Sequence, residues 1–306
     1  MRRIISILAA ILLASVCADA QKNIMYEEEF DGFTSVEVYD NFILTLVASD
    51  RFMLRTTVDE RIDDYVKAYV QNGVLYITLD RKKFSSELKK VLRARGAAAP
   101  VLEAEVYFPA INSLKINDNV IVHRADPIYT DAFALIAGDK TRVDKLTVNC
   151  EYMELNINKN SYVDLVANAS KQLSVISSGS SEAVVKQTGG ELKVNASGYS
   201  SVNAITETES VDILSSGSSD VVFVSGKSSS LTVNSSGASK VNAEAVAITK
   251  AEMMQSGTSR CYVNVSDTLK VNLTGSTMLS FMQEPYIKVE RIVGSTLIKH
   301  DDPRRK

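Results

Sequence analysis

The sequence predicts an all-β protein: a single-stranded parallel β-helix, or solenoid, of about ten coils behind an N-terminal β-rich cap. Three observations predict it. A Ser-Gly phrase recurs every 18 to 20 residues, apolar residues alternate on both sides of each glycine, and opposite charges occupy matching positions of neighbouring repeats. A fixed period of this size is the signature of a solenoid, in which neighbouring coils share one core. The glycines of the phrase are Gly179, Gly198, Gly217, Gly237, Gly257, Gly275 and Gly294.

The residues around each glycine alternate as residues in β-strands do. In the repeat around Gly198, Leu192 and Val194 precede the glycine by six and four residues, and Val202 and Ala204 follow it by four and six. Steps of two place side chains on one face of a strand, so these four side chains are expected to point into the core. Serine and glycine supply the turn between the two strands.

The position five residues before the glycine tests this register. Lys193 and Asp212 hold it in adjacent repeats, and Glu252 and Lys270 hold it in another adjacent pair. Opposite charges on neighbouring strands stabilise by roughly 0.2–1 kcal/mol. The two pairs therefore support the register more than they add stability.

The phrase continues upstream with Asn, Asp or Lys in place of glycine. It reads Asn117-Asp118-Asn119, Asp139-Lys140-Thr141 and Lys159-Asn160-Ser161. Asn and Asp tolerate the left-handed turn conformation better than most residues. We therefore expect the parallel β-helix to span residues 111–300, followed by a polar tail at 301–306.

Residues 21–110 lack the glycine phrase and are expected to form the β-rich cap and the first irregular coils. An Asn72-Gly73 turn between two apolar runs predicts a hairpin. Ser85 or Ser86 is a suitable N-cap for a short helix that Gly96 would end. The basic segment around this helix offers a surface to an acidic partner, but a solvated face is the favoured interpretation.

Residues 1–20 have the composition of a signal peptide. Arg2 and Arg3 give the positive start, an apolar run follows, and Ala18-Asp19-Ala20 is a small-residue cleavage site. The alternative is a lipoprotein signal in which Cys17 carries the acyl chain. No later stretch is apolar and long enough to span a bilayer as a helix. The mature chain is therefore expected in the periplasm, on the outer-membrane surface or outside the cell.

Charge and cysteine spacing restrict the partners and the covalent links. The net charge of −3 gives no reason to propose nucleic acid, whose binders need a basic face. Cys150 and Cys261 are about five coils apart, on the order of 24 Å, which is far beyond the reach of a disulfide. Cys261 falls at an inward position and is expected to be a buried thiol, whereas Cys150 falls near a turn.

Few residues suggest catalysis. The two histidines are His123, at an inward position of the first full coil, and His300, in the tail. Counting alone leaves a Ser-His-Asp triad open. The serines are nevertheless abundant as turn formers, and no Gly-x-Ser-x-Gly elbow occurs, so a structural role for them is favoured.

One pair of carboxylates is a candidate site. Asp144 and Asp164 share an outward register on adjacent coils, about 4.8 Å apart. That spacing would suit Ca²⁺ or a glycosidase-like acid pair. Screening by Arg142 and Lys145 is the favoured interpretation. We therefore expect no catalytic residue and no cofactor, with Asp144 and Asp164 as the remaining candidates for a metal.

The chain resembles a known family. Phe30-Asp31-Gly32-Phe33, the Asn72–Ile77 hairpin, the serial Ser-Gly-Ser-Ser phrases and the ending from Met282 to Ile298 are similar to the head GIN domain family. These are exported auto-transporter adhesins of Bacteroidota-type bacteria, and the resemblance covers nearly the whole mature chain. It implies a right-handed parallel β-helix and brings no established catalytic residues. The first solenoid coils here lack turn glycines, so they are expected to be less regular.

Three functions fit these observations. The first is a non-catalytic binding protein of the cell envelope, which presents a rigid face to glycan or protein. The second is a polysaccharide-acting enzyme that uses Asp144 and Asp164 or another group. The third is a self-associating structural component of the envelope, because the open ends of a solenoid are strand edges that pair with another chain. We favour the binding protein, with end-to-end self-association as a further partnership.

Overall fold

The computed structural model describes residues 22–95 and 97–300. The signal region 1–20, the helix end expected at Gly96 and the tail 301–306 lie outside the described residues. Strand accounts for 66% of the chain and helix for 5%, which makes this an all-β protein. Among the described residues, no helix is long and apolar enough to cross a membrane.

The regular elements follow one another in this order. Up to Phe108 they are β1 (Asn23–Glu29), β2 (Ser35–Val38), β3 (Ile43–Ala48), β4 (Met53–Asp59), β5 (Val66–Gln71), β6 (Val74–Leu79), α1 (Ser86–Arg93) and β7 (Leu102–Phe108), with short 3-10 helices at Asp63–Tyr65 and Arg81–Lys83. The later strands are β8 (Ser113–Ile116), β9 (Ile121–Ala125), β10 (Ile128–Tyr129), β11 (Ala132–Ala137), β12 (Arg142–Ile157), β13 (Tyr162–Ser177), β14 (Glu182–Thr188), β15 (Glu191–Ala196), β16 (Ser201–Ser215), β17 (Asp220–Ser235), β18 (Lys240–Gln255), β19 (Arg260–Thr274), β20 (Met278–Met282), β21 (Tyr286–Val293) and β22 (Thr296–Lys299).

Each coil contributes one rung to each of two ladders of strands, which we call sheet 1 and sheet 2. Sheet 1 runs β1, β4, β7, β3, β9, the first halves of β12 and β13, β14, the first halves of β16 to β19, β20 and β22. Sheet 2 runs β5, β6, β2, β8, β11, the second halves of β12 and β13, β15, the second halves of β16 to β19, and β21. The result is a β-solenoid of about nine turns, which confirms the expected fold class.

The Ser-Gly phrase forms the corner at which the chain passes from sheet 2 to sheet 1, here called the Ser-Gly corner. Gly237 has a φ of +68°, in the left-handed region that glycine adopts most readily. The hydroxyl of Ser239, which is 1% exposed, donates to the carbonyl oxygen of Ser236 at 2.8 Å. It also lies 2.9 Å from the hydroxyl oxygen of Ser235. The turn serines therefore close the corner from inside.

The core occupies the space between the two sheets, and its register is the expected one. Leu192, Val194, Val202 and Ala204 are each at most 2% exposed. Outside the core, the ammonium of Lys270 lies 2.7 Å from the carboxylate of Glu252.

The other expected charge pair has the right register but a different contact. Lys193 and Asp212 are direct Cα partners on β15 and β16. The ammonium of Lys193 nevertheless donates to the amide oxygen of Gln172 at 2.8 Å. The strand register is therefore confirmed, although only the Glu252–Lys270 pair is seen as an ion pair.

Turns without glycine keep the same left-handed geometry in the early coils. Asp118 and Asn119 have φ values of +60° and +62°, and Asp40 and Asn41 have +71° and +61°. The turn at Asp40 joins β2 to β3, which pair in parallel with β8 and β9. Parallel stacking thus extends upstream of residue 111. The domain boundary itself stays a prediction.

The N-terminal end of the stack is covered. β1 and β4 continue sheet 1 with antiparallel pairing, and β5 does the same for sheet 2. The helix α1 begins at its N-cap Ser85, whose hydroxyl accepts from the backbone N–H of Leu88 at 3.0 Å. Phe84, Leu88 and Leu92 pack against the core. The expected hairpin is also present, because β5 and β6 pair around Asn72.

Candidate binding groove

A change in coil length creates a groove at the corner where the chain passes from sheet 1 to sheet 2. The two coils between Gly217 and Gly257 have 20 residues each, whereas the next coil, which ends at Gly275, has 18. The pairing of β18 with β19 jumps at this corner from Ala243 to Ile248, so that four residues of β18 stand against one of β19. The longer coils bulge outward beside the shorter coil.

The groove, called the corner groove below, has a volume of about 300 Å³ and draws residues from five successive coils. A volume of this size is at the lower end of the range for small-molecule sites. Most of the lining side chains carry a hydroxyl, an amide or an ammonium group. They are Thr208, Lys227, Ser228, Ser229, Ala247, Ile248, Thr249, Ser266 and Gln283.

Hydrogen bonds to backbone oxygens hold parts of this lining in place. The hydroxyl of Ser228, which is 5% exposed, lies 2.9 Å from the carbonyl oxygen of Ser230 and 3.2 Å from that of Glu209 on the preceding coil. The hydroxyl of Ser266 donates to the carbonyl oxygen of Ile248 at 3.2 Å. These contacts cross from coil to coil, so the groove is pre-formed by the stack.

A close approach of two backbones positions the lysine of the corner groove. A Cβ atom at Gly226 would lie 1.8 Å from the carbonyl oxygen of Thr206, so only glycine fits there without a shift of the coil. Gly226 directly precedes Lys227, and its φ of +138° lies outside the range that side-chain-bearing residues favour. The coil can therefore turn sharply just where the lysine enters the groove.

Three polar side chains of the lining are available to a ligand. Within residues 22–95 and 97–300, Lys227, Ser229 and Thr249 are exposed and their side chains make no hydrogen bond to the protein. Ala247, which is exposed, adds a small apolar surface beside them. The arrangement offers hydroxyl groups, one positive charge and an apolar contact, which suits a polar ligand that carries hydroxyl or acidic groups.

Two exposed tyrosines lie on the same corner of the solenoid. Tyr129 is 69% exposed and Tyr152 is 49% exposed, so both rings present apolar surface to solvent. The ammonium of Lys171 lies 5.2 Å from the centre of the Tyr152 ring. Tyr152 is four coils from Lys227, or about 19 Å at the spacing of neighbouring strands. The tyrosines and the corner groove therefore form one row along the solenoid.

The structure gives Asp144 basic neighbours. Its carboxylate accepts from the guanidinium of Arg142 at 2.5 Å and lies 3.2 Å from Nδ1 of His123. The Arg142 hydrogen bond is the main reason why the pKa of Asp144 lies below its ordinary value. The carboxylate is therefore ionised over the neutral range and is unsuited to donate a proton.

The inward position expected for His123 is wrong, because its side chain is 73% exposed. The turn before β9 explains the error: its left-handed residues are Asp118 and Asn119, one position later than expected, so alternation places Val122 inside and His123 outside. His123 is also the extra residue of a β-bulge between β3 and β9. Val122 takes the buried position instead and is 0% exposed.

A second bulge separates Asp144 from Asp164. Val143 pairs with Val163 and Leu146 with Leu165, so that Asp144 and Lys145 stand together against Asp164. The two aspartates as metal candidates stay a prediction. In the part of the chain that the structure describes, no three or more His, Cys, Asp or Glu side chains cluster as a metal site.

Sequence reasoning missed one hydrogen-bonded chain of side chains. His300 Nδ1 lies 2.7 Å from the hydroxyl of Ser280, and His300 Nε2 lies 2.8 Å from the carboxylate of Glu244. A carboxylate accepts, so Nε2 donates and Nδ1 is left to accept from Ser280. Nucleophilic serines use this sequence of groups. Ser280 is only 7% exposed. No sequence pattern could have found a contact that spans three coils.

The cysteines agree with the expectation. Cys150 and Cys261 are both free thiols. Cys261 is 0% exposed, and burial raises its pKa to about 12. Burial also raises the pKa of Cys150, which is half-buried, to about 11.

Comparison with known proteins places the chain in a family. Residues 32–184 and 168–285 match the family model described as "Putative auto-transporter adhesin, head GIN domain". The chain belongs to the head GIN domain family. This confirms the resemblance found in the sequence. A search of curated proteins gave no match.

Two solved structures are similar to this head GIN domain protein over most of its length, at low sequence identity. A "putative adhesin" from Parabacteroides merdae is 16% identical, with 91% of this chain and 96% of that chain covered and a TM-score of 0.44. A "Putative lipid binding protein" from Parabacteroides distasonis is 15% identical, with the same coverage and a TM-score of 0.47.

Proposed function

We propose that this head GIN domain protein is an exported, non-catalytic binding protein of the cell envelope that holds a glycan in its corner groove. The observation that carries the proposal is a group of three exposed polar side chains in a groove built by five coils, namely Lys227, Ser229 and Thr249, which have no partner in the part of the chain that the structure describes. Membership of a family described as adhesins supports a surface-binding role. A protein segment is the alternative ligand.

The chemistry of the row fits a sugar chain. Hydroxyl groups of a sugar exchange hydrogen bonds with Ser229 and Thr249, and the apolar face of a ring rests on Ala247. The ammonium of Lys227 favours a sugar with a carboxylate or phosphate. A longer chain would reach the exposed tyrosines, whose rings combine an apolar face with a polar tip.

The proposed location follows from the N-terminal sequence. The signal peptide at residues 1–20 would export the chain to the periplasm, the outer-membrane surface or the medium. Acylation of Cys17 is the alternative and would anchor the chain to a membrane by its lipid. Globomycin-sensitive processing and metabolic labelling with an alkyne fatty acid distinguish the two, because only the lipoprotein gives a labelled band.

The test is retention of the mature chain, residues 21–306, on an immobilised panel of bacterial, plant and host glycans. We expect retention on glycans with acidic sugars and no release of sugar. Lys227→Met and Thr249→Val should each weaken retention by about tenfold, since each removes one hydrogen bond to the ligand, charged in the first case. Lys82→Met is the matched control, because Lys82 is also exposed but lies on the 3-10 helix Arg81–Lys83 at the N-terminal end of the solenoid.

Two results would count against the corner groove. Equal retention of the Lys227 and Lys82 variants would place binding on another surface. Retention by no glycan, together with capture of a specific protein that depends on Lys227, would favour the protein ligand. Circular dichroism of each variant separates a lost contact from a lost fold.

A polysaccharide-acting enzyme is the second candidate, and the Ser280–His300–Glu244 chain is the observation that favours it. The same panel tests it when released sugar is measured. Release that disappears in Ser280→Ala would make the serine a nucleophile, and release that disappears in Asp144→Asn or Asp164→Asn would point to the carboxylates. Either result would replace the binding proposal.

A further inference from the structure

Among the described residues, both ends of the solenoid carry open strand edges, since β1 pairs only with β4 and β5 only with β6, but the two ends differ in how the core is covered. At the N-terminal end, antiparallel strands and α1 cover the stack. At the other end, β21 pairs only with β19 and β22 pairs only with β20, among the described residues. Each of these last strands therefore keeps one edge of unpaired N–H and C=O groups, which is a template for another strand.

Core positions are also uncovered at this end. Val289 and Ile292 continue the buried columns of Val271 and Leu273, which are 0% exposed. Val289 itself is 54% exposed and Ile292 is 37% exposed. The last coil thus presents side chains with an inward register to solvent. An open core of this kind is typical of an interface rather than of a free surface.

The open strand edges and the uncovered apolar side chains together suit a partner that supplies both a strand and apolar contacts.

The geometry points to a second copy of this chain as that partner, in a two-fold dimer that pairs β21 with β21 of the other copy. Antiparallel pairing about an axis through Val289 brings Lys288 of each copy beside Glu290 of the other, which is the extra residue of a bulge between Val289 and Arg291. Glu290 is already held by Lys270 at 3.0 Å, whereas Lys288 has no ion pair within residues 22–95 and 97–300. The edge is therefore complementary to itself, as a two-fold interface requires.

Oligomeric state tests this dimer. Sedimentation velocity of residues 21–306 should show a monomer–dimer equilibrium over roughly 1–100 μM. Val289→Arg should weaken the dimer by at least about tenfold, because it puts a charge at the centre of the interface. Val224→Arg is the matched control, since Val224 is 58% exposed on sheet 1 and far from the open end. A monomer throughout this range, or a dimer that survives Val289→Arg, would overturn the proposal.

A cross-link tests the register. A cysteine at position 289 lies on the two-fold axis, where paired strands bring Cα atoms to about 4.5–5.5 Å, within disulfide range. Val289→Cys in a Cys150→Ala background should form a covalent dimer on mild oxidation, whereas Val224→Cys should not. A dimer in sedimentation that gives no such cross-link would refute the two-fold arrangement and indicate a contact between opposite ends. Lys288→Glu should weaken the dimer, and Lys288→Glu with Glu290→Lys should restore it.

Discussion

The glycine column at the Ser-Gly corner is expected to be needed for close stacking as well as for turn conformation. Gly237→Ala and Gly179→Ala separate the two effects. Both glycines have left-handed φ values, +68° and +73°. A Cβ atom at Gly237 would lie 2.7 Å from the carbonyl oxygen of Gly217, whereas at Gly179 the nearest atom is the backbone nitrogen of Lys159 at 3.1 Å.

The size of each effect follows from these contacts. In both variants the left-handed backbone conformation destabilises the folded chain by about 1–2 kcal/mol, because alanine disfavours it. Alanine also restricts the unfolded chain, and the resulting stabilisation is the same in both variants. At Gly237 the added methyl group must push two coils apart, and overpacking of this kind costs about 1–3 kcal/mol more. Gly237→Ala should therefore lose about 1–3 kcal/mol more free energy of unfolding than Gly179→Ala.

Urea denaturation followed by far-UV circular dichroism measures this difference, since the chain has no tryptophan. Hydrogen exchange gives a local check. The carbonyl oxygen of Gly217 also accepts from the N–H of Ala238 at 2.8 Å, so exchange at Ala238 should speed up in Gly237→Ala. Losses that agree within about 0.5 kcal/mol, with unchanged exchange at Ala238, would refute the idea that the close approach matters.

Three further predictions concern single side chains. Ser219→Ala removes a buried hydroxyl that donates to the carbonyl oxygen of Ser216 at 2.9 Å, and should cost about 1–2 kcal/mol in urea unfolding; no loss would mean that the turn serines do not close the corner. Cys261 should react with a thiol reagent at pH 8 only after unfolding, because its thiol is buried and its pKa is raised. Cys150 should react slowly in the folded chain, because its pKa is also raised but its side chain is partly exposed. Mass spectrometry identifies the labelled residue. The pKa of Asp144 is lowered in the folded chain, so its ionised form stabilises the fold at pH values above the pKa of the unfolded chain, about 4. This contribution is lost as the pH falls through the lowered pKa. The free energy of unfolding of Asp144→Asn should therefore fall less between neutral pH and acid than that of the natural chain, by under about 1 kcal/mol at this exposed ion pair.

The fold could be predicted because each coil repeats the same spacing of apolar residues around its turn. Inward residues such as Val202 and Val221 recur at fixed distances from a glycine, and a period of two carries them to one face. Spacing assigns side chains to the wrong face wherever a coil gains or loses a residue. His123 is the example: the left-handed turn before β9 uses Asp118 and Asn119, one position later than the spacing indicated, so Val122 faces the core and His123 faces solvent.

The corner groove follows from the same irregularity. The 20-residue and 18-residue coils around Gly257 are visible in the sequence, but spacing alone does not say at which corner the extra residues leave the ladder. Only the pairing of β18 with β19 places them beside Lys227. The contact of His300 with Glu244 depends on the same bulge and was equally hidden.

The capped N-terminal end has a consequence for how the chain acquires its structure. From β11 onward, each strand pairs with one about 18 to 21 residues earlier, so every new coil meets an edge that is already in place. A chain that is synthesised from its N-terminus completes the covered end first, and each later coil then folds onto the coil before it. Closure of each coil involves only a short loop, so its entropic cost stays small however long the stack becomes.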